Sequence, residues 1–129
     1  MIEATKADDL RWAEGMTGLK FHPPLAAVSF KRGDDVRAVA VFQNYTGTDI
    51  EVTIAARELP RSFLRAVRGY VVNQLHCRRA TFKTRVTNIC AIKAMARLNA
   101  ICEGRQHKLY ADGSDALIFA IHDEDFKHG

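Results

Sequence analysis

The sequence changes its hydrophobic period at about residue 60, and this change constrains the fold more than any other feature. In residues 49–56 isoleucine and valine alternate with polar or small residues, which predicts a strand with two different faces. In residues 60–75 the apolar residues recur every three or four positions, which predicts an amphipathic helix. Residues 80–86 return to a strand pattern. A strand, a helix and a strand in this order predict a right-handed crossover and a parallel strand pair.

The rest of the chain extends this unit into a larger sheet. We predict an α/β (α+β) fold with a mixed, mostly antiparallel central sheet, a parallel central pair and helices on both faces. A length of 129 residues predicts a single domain, residues 1–129. The further predicted elements are strands at residues 1–4, 25–31, 36–45, 106–110 and 116–122, a helix that begins near Thr5 and a helix at residues 89–98.

Composition narrows the functional classes. No apolar run approaches the ~18 residues that a membrane span needs, and the N-terminus has no signal-peptide pattern, so we expect a cytoplasmic protein without a membrane partner. Cys77, Cys90 and Cys102 form no CxxC motif and have no histidine at metal-ligand spacing. We therefore expect free, buried thiols and no metal site. The net charge of +4 is compatible with an anionic ligand but does not by itself indicate nucleic acid.

A helix N-terminus flanked by arginines follows the alternating strand. The first helical turn presents unpaired N–H groups and the positive end of the helix dipole, which together attract anions. Arg57 and Arg61 flank this turn, and Arg65 and Arg68 continue a basic stripe. The alternative is a solvated helix surface, with Pro60 present because proline suits the first turn. The pattern alone leaves both interpretations open.

Asn88 stands between a predicted strand and a predicted helix and also has two interpretations. As an N-cap, its side chain would accept a hydrogen bond from a free N–H of the helix. Standing at the end of a strand beside the first helix, it would instead reach a ligand between the two elements. Neighbouring parallel strands that each feed a helix often form a ligand crevice at their carboxyl ends. Spacing alone does not choose between these roles.

Several local patterns resemble the GNAT superfamily of acyl-CoA-dependent N-acyltransferases. The nearest branch contains ribosomal-protein N-terminal acetyltransferases, including short versions found in phages. Residues 88–104 resemble that branch's N-x-x-[SA] motif followed by L-G-F and E-G, with Leu98-Asn99-Ala100 in the place of L-G-F. Arg105, the Asp112-Gly113 hairpin and the helix ending at residues 70–75 fit the same template, and the likeness covers roughly residues 36–119.

The resemblance implies acetyl-CoA as a co-substrate. The family's [QR]-x-x-G-x-[GA] loop wraps the pyrophosphate of this molecule with backbone N–H groups. Arg57 matches its first residue, whereas Pro60 and Ser62 replace its two glycines, and the proline removes one donor. The N–H groups of Arg61, Ser62 and Phe63 are then expected to hold the phosphates, with the arginine side chains pairing directly.

The resemblance also implies contacts along the pantetheine arm and a transfer of acetyl to an amine. Ile54 and Ala55 would present backbone groups to the arm, and Asn88 would contact the same arm. Glu51 is the candidate base, because it lies on the same strand and on the face opposite the isoleucines and valines; the alternative is an exposed or salt-bridged carboxylate. Tyr110, with His107 on the predicted sixth strand, is the candidate acid or proton relay, and ordinary hairpin residues are the alternative.

Two other functions remain open from the sequence. One is a binding module that keeps the fold without turnover, for which the non-glycine loop would be the signature. The other is a nucleic-acid-binding domain, which we consider disfavoured because only Phe82 is free to stack on bases. The acceptor, a protein or small-molecule amine, is expected against residues 18–24 and the stretch after Asp112. The short N-terminal region leaves that side either open or completed by a partner chain in a homodimer.

Overall fold

The computed structural model describes residues 1–23, 25–122 and 124, and its central element is a mixed sheet. The order of strands and helices agrees with the sequence prediction. The elements are β1 (Ile2–Ala4), α1 (Ala7–Thr17), β2 (Ala26–Arg32), β3 (Asp35–Gln43), β4 (Asp49–Ala56), α2 (Arg61–Gly69), β5 (Arg79–Arg85), α3 (Ile89–Arg97), β6 (Ile101–Gln106) and β7 (Ala116–His122).

The strands of the described residues lie in the order β1-β2-β3-β4-β5-β7-β6. Strands β4 and β5 pair in parallel, and every other neighbouring pair is antiparallel. The right-handed preference of such crossovers and the sequence order account for this arrangement. The predicted fold class, a mostly antiparallel mixed sheet with a parallel central pair, is confirmed.

The alternation in β4 divides the core between the two faces of the sheet. Ile50, Val52 and Ile54 pack with apolar residues of α2 and α3 on one face. Ala55 packs on the other face, in a smaller cluster with Ala13 of α1. Helices therefore cover both faces, as predicted, and the carboxyl end of β4 lies between them.

The end of α2 differs from the prediction of one regular helix to residue 75. Residues Tyr70–Gln74 form a π-helical segment, in which the Leu75 N–H donates to the Tyr70 carbonyl over 3.0 Å. The wider turn accommodates the Tyr70 ring against Phe42, with ring centroids 4.5 Å apart, while Val71 remains fully buried. Side-chain packing thus overrides the regular helical period that the sequence predicts.

The predicted sixth strand at residues 106–110 is wrong. Strand β6 begins at Ile101 because α3 ends at Arg97 and the chain reverses at Asn99, which has a left-handed φ of 57°. Asparagine tolerates this conformation, which explains why it can stand where the resembling motif has glycine. His107 and Tyr110 consequently lie in the β6–β7 connection and not on a strand.

Helix α1 begins at Ala7, two residues after the predicted start near Thr5. The N-cap is Lys6, whose N–H donates to the Asp9 carboxylate over 3.1 Å. Thr5 instead shares a hydrogen bond of 2.9 Å with the Ser29 hydroxyl. Asp9 is buried, and its ion pair with Lys31 (3.1 Å) compensates for the burial of its charge.

The cysteines are free, but two of them are not buried as expected. Cys77 lies in the core, and burial raises the pKa of its thiol. Cys90 and Cys102 are exposed because the first turn of α3 and the edge strand β6 face solvent at these positions. In the part of the chain that the structure describes, no helix has the length and apolar content required to cross a membrane.

Candidate active-site crevice

Strands β4 and β5 separate at their carboxyl ends. Their pairing ends at Thr53 and Lys83, whereas β4 continues to Ala56 along β3, and β5 continues to Arg85 along β7. Within the described residues, the edge of residues 54–56 that faces β5 therefore has no strand partner. Unpaired backbone N–H and C=O groups at such an edge can form strand-like hydrogen bonds with an extended ligand.

A crevice of about 210 Å³ opens at this separation. The structure brings four of the predicted site residues together in its lining: Ile54, Ala55, Asn88 and Tyr110. The remaining lining residues were not identified from the sequence and are Met16, Thr17, Ala56 and Arg85. No carboxylate is present among these lining residues.

Asn88 fulfils the capping role and also lines the crevice. Its Oδ1 accepts a hydrogen bond of 3.1 Å from the Ala91 N–H in the first turn of α3. Its amide nitrogen has no hydrogen-bond partner among the residues that the structure describes. The local interpretation is therefore correct for the oxygen, while the nitrogen retains donors for a ligand in the crevice.

Arg85 joins three segments around the crevice. Its guanidinium donates to the Thr17 carbonyl at the end of α1 and to the Asp112 carboxylate (2.9 Å) in the β6–β7 connection. It also lies over the Tyr110 ring, 4.5 Å from the centroid. Gly18 has a φ of 74°, and a Cβ there would approach an Arg85 nitrogen to 3.0 Å, so any other residue at this turn would be strained and would crowd Arg85.

Tyr110 is suited to donate a proton. Tyr110 is 4% exposed, and this burial raises the pKa of its phenol above the ordinary value. The nearby Arg85 charge acts in the opposite direction but is the smaller effect. The phenol is therefore protonated throughout the neutral pH range. A neutral hydroxyl at the crevice wall can donate a hydrogen bond or a proton to a developing anion.

Glu51, the predicted base, does not line the crevice. It precedes Ile54 by three residues, or about 10 Å along an extended strand. Its carboxylate pairs with Lys83 (2.6 Å) and accepts a hydrogen bond from Asn44 (2.7 Å). Burial would raise the pKa of Glu51, but the contacts with Lys83 and Asn44 prevail and hold this pKa below its ordinary value.

The N-terminus of α2 offers fewer free donors than the three predicted. The Phe63 N–H donates to the Pro60 carbonyl over 3.0 Å, and the Phe63 side chain is fully buried in the core. Arg61 and Ser62 are exposed, and their N–H groups are the unpaired donors of the first turn. Arg57 is exposed four residues earlier, immediately after β4.

A second, basic groove of about 480 Å³ runs between α2 and α3. Its lining consists of Leu59, Arg61, Leu64, Arg65, Arg68, Arg97, Leu98 and Asn99. The predicted basic stripe of α2 thus forms one wall. Arg97 of α3 forms the other wall and was not identified from the sequence, because nothing in the local pattern indicates that the two helices are neighbours.

The remaining predictions concern metals and the acceptor side. The described residues contain no group of three or more histidine, cysteine, aspartate or glutamate side chains that could hold a metal ion. Of the predicted acceptor loop at residues 18–24, Pro24 lies outside the described residues. The stretch after Asp112 adjoins the crevice through the contact of Asp112 with Arg85.

Comparison with solved structures identifies the architecture. No protein-family model and no curated protein match the sequence. The spermidine/spermine N-acetyltransferase SpeG from Vibrio cholerae superposes with a TM-score of 0.74 at 11% identity, covering 99% of this chain and 97% of that chain. The ribosomal-protein-S18-alanine N-acetyltransferase from Escherichia coli gives a TM-score of 0.62 at 18% identity, with 95% and 92% covered.

The chain shares the fold of these solved N-acetyltransferases. A protein from T. thermophilus that is described as an acetyltransferase also matches, with a TM-score of 0.69 at 18% identity. This match covers 89% of the present chain but only 66% of that chain, so the present chain spans about two thirds of its length. At these identities the similarity establishes the fold and not the activity.

Proposed function

We propose that the protein is a single-domain, acetyl-CoA-dependent N-acetyltransferase that transfers acetyl to an amine of a protein or small molecule. The observation that carries the proposal is the separation of β4 and β5 after Thr53 and Lys83. It leaves an unpaired strand edge inside a crevice that also contains a hydrogen-bond donor, Asn88, and a neutral acid, Tyr110. These are the groups that an acyl thioester and its extended arm require.

The donor-binding residues fit a molecule with an extended amide-containing arm and a pyrophosphate. The backbone groups of Ile54 and the amide nitrogen of Asn88 are available to the arm, whereas the N–H and C=O of Ala55 face Val39 of β3. The N–H groups of Arg61 and Ser62, at the positive end of α2, are available to the pyrophosphate. The exposed guanidiniums of Arg57 and Arg61 can pair with the same phosphates.

The chemistry requires two proton transfers beside the crevice. Acetyl-CoA supplies a thioester carbonyl, at which a C–N bond forms as the C–S bond breaks. Unpaired N–H groups in residues 54–56 stabilise the developing negative charge on the carbonyl oxygen. Tyr110 donates its proton to the leaving sulfur and is reprotonated from solvent. Glu51 is the proposed base, and from about 10 Å it receives the amine proton through a chain of water molecules.

The first test is a calorimetric titration with acetyl-CoA, with desulfo-CoA and ATP as controls. Micromolar affinity that depends on the CoA moiety and exceeds the affinity for ATP is expected. A panel of amine acceptors, including peptides with a free N-terminus and small amines, then measures transfer. Absence of binding at millimolar acetyl-CoA would contradict the proposal and would indicate that Pro60 and its neighbours exclude the pyrophosphate.

The second candidate function is a binding module of the same fold without turnover. The ion pair of Glu51 with Lys83 favours it, because a carboxylate with a lowered pKa is a weak base. Binding of acetyl-CoA without transfer to any acceptor in the panel would support this candidate. Turnover with at least one acceptor would exclude it.

A further inference from the structure

The charges of the central part of the chain are entirely of one sign. Residues 59–102 contain nine lysines and arginines and no aspartate or glutamate. The net charge of the whole chain is only +4, so this segment concentrates positive charge that the remainder of the chain offsets. The segment contains both helices that pack on one face of the sheet, together with the strand between them.

The cations of the strand are neutralised by carboxylates from neighbouring strands and loops. Arg79 pairs with Glu103 (2.6 Å) and Asp49 (3.4 Å). Lys83 pairs with Glu51, and Arg85 pairs with Asp112. These cations therefore have structural partners, and they do not contribute to an unbalanced surface.

The cations of the two helices are arranged differently. Arg61, Arg65, Lys93 and Arg97 have no carboxylate partner within residues 1–23, 25–122 and 124. Arg65 and Arg97 line the same groove, to which Arg68 also contributes. Like charges that converge in a groove repel one another, and this cost is offset when an anion binds between them.

The spacing of the cations suits a row of phosphates. Lys93 and Arg97 are one turn apart on α3, at a separation of about 6 Å. One strand of a duplex carries a phosphate for about every 3.4 Å of its axis, so the pair of Lys93 and Arg97 spans roughly two phosphates.

The surface favours a duplex over a single strand. The described large apolar side chains that are exposed are Met1, Ile2, Tyr45, Ile89 and Ile101, and among them the face of α2 and α3 presents no aromatic ring. Proteins that bind single strands stack bases on such rings, whereas contacts to a duplex backbone need only cations and N–H donors. Exposed cations without rings therefore fit a phosphodiester backbone.

We propose that the α2–α3 face, formed by Arg65, Lys93 and Arg97, docks the phosphate backbone of a double-stranded nucleic acid. This docking is independent of the proposed acetyl transfer. The first turn of α2, which we assign to the acetyl donor, adjoins the surface but is not required by it.

The test measures fluorescence anisotropy of short labelled RNA and DNA duplexes against the purified protein. With about three phosphates neutralised, the logarithm of the binding constant should fall with the logarithm of salt concentration with a slope of about −2.7. Affinity should then decrease roughly 40-fold between about 50 and about 200 mM salt. The two duplexes distinguish an RNA partner from a DNA partner by their relative affinities.

The double variant Arg65→Gln/Arg97→Gln should weaken duplex binding and reduce the steepness of the slope by about 0.9 for each lost contact. The matched control is Lys6→Gln/Lys108→Gln, which removes the same charge from exposed positions outside this face. Equal weakening in the two variants would overturn the proposal, because binding would then follow net charge alone. Thermal unfolding verifies that both variants are folded.

Acetyl-CoA titrations of the same variants separate this proposal from the proposed enzyme. Unchanged acetyl-CoA affinity in Arg65→Gln/Arg97→Gln, together with weakened duplex binding, is the expected result. If acetyl-CoA displaces the duplex and the variant loses affinity for both, the groove belongs to the acetyl donor and the docking proposal fails. If the wild-type protein binds the duplex but not acetyl-CoA, the proposed enzyme activity is contradicted and the proposed docking surface is supported.

Discussion

Replacement of Asn88 separates the capping role of its side chain from its proposed contact with the acetyl donor. In Asn88→Ala the hydrogen bond to the Ala91 N–H (3.1 Å) is lost together with the amide nitrogen. Loss of an N-cap costs about 1 kcal/mol of unfolding free energy. For a chain of 129 residues this corresponds to a decrease of about 4 °C in Tm.

The matched variant is Asn88→Ser. Serine caps a helix about as well as asparagine, so the Tm should remain within about 1 °C of the wild-type value. Serine lacks the amide donors, however, and loss of one hydrogen bond to the donor's arm should cost about 1 kcal/mol, or roughly fivefold in Kd for acetyl-CoA. Asn88→Ala should show the same loss of affinity in addition to its loss of stability.

Calorimetry for Kd and thermal unfolding for Tm distinguish the two effects. Wild-type affinity in a folded Asn88→Ser protein would refute the contact with the arm and leave Asn88 as a helix cap only. Asn88→Ser keeps the helix cap and Asn88→Ala loses it, while both lack the amide nitrogen. Weakened acetyl-CoA affinity in Asn88→Ala alone would therefore show that Asn88 affects binding only by capping α3.

Three further substitutions test the chemistry and the loop that supports it. Glu51→Gln should lower kcat while leaving acetyl-CoA affinity nearly intact, and wild-type kcat would exclude Glu51 as the base. Tyr110→Phe should lower kcat by about 100-fold or more if the phenol is the acid, and a pH–rate profile of the wild type should show no loss of the acid below pH 10, since burial raises the pKa of Tyr110. The pKa of Asp115 is lowered to about 2 by hydrogen bonds from the Lys108 N–H and from Arg105. The ionised Asp115 carboxylate therefore stabilises the folded state above pH 4, and this contribution is lost as the pH falls towards 2. Asp115→Asn should flatten the pH dependence of Tm in that interval.

Several elements of the fold could be predicted from the sequence because their signals are local. The alternation of residues 49–56 reproduces β4 at both ends, and the helical period after residue 60 identifies α2. Strand β6 could not be predicted in this way. Most of its residues are exposed, so no alternation marks it, and its start depends on the reversal of the chain at Asn99.

The candidate site was predicted only where a resemblance supplied the positions. Ile54, Ala55 and Asn88 belong to segments whose order along the chain resembles a known family, and the structure brings them to one crevice. Arg85 and Thr17 belong to no such motif. Their hydrogen bond joins residues 68 positions apart, and neither residue has a local pattern that indicates the other.

The sequence by itself determined the order of the elements, the parallel unit of β4, α2 and β5, and the single sign of charge over residues 59–102. Each of these features depends only on the types and spacing of residues that are close together in the sequence. Only the tertiary structure decided that Glu51 pairs with Lys83, that Tyr110 reaches the crevice and that Arg97 and Arg65 line one groove. These contacts depend on how separate elements pack against one another. Packing is set by the shape and burial of the whole chain, and a local hydrophobic pattern does not determine it.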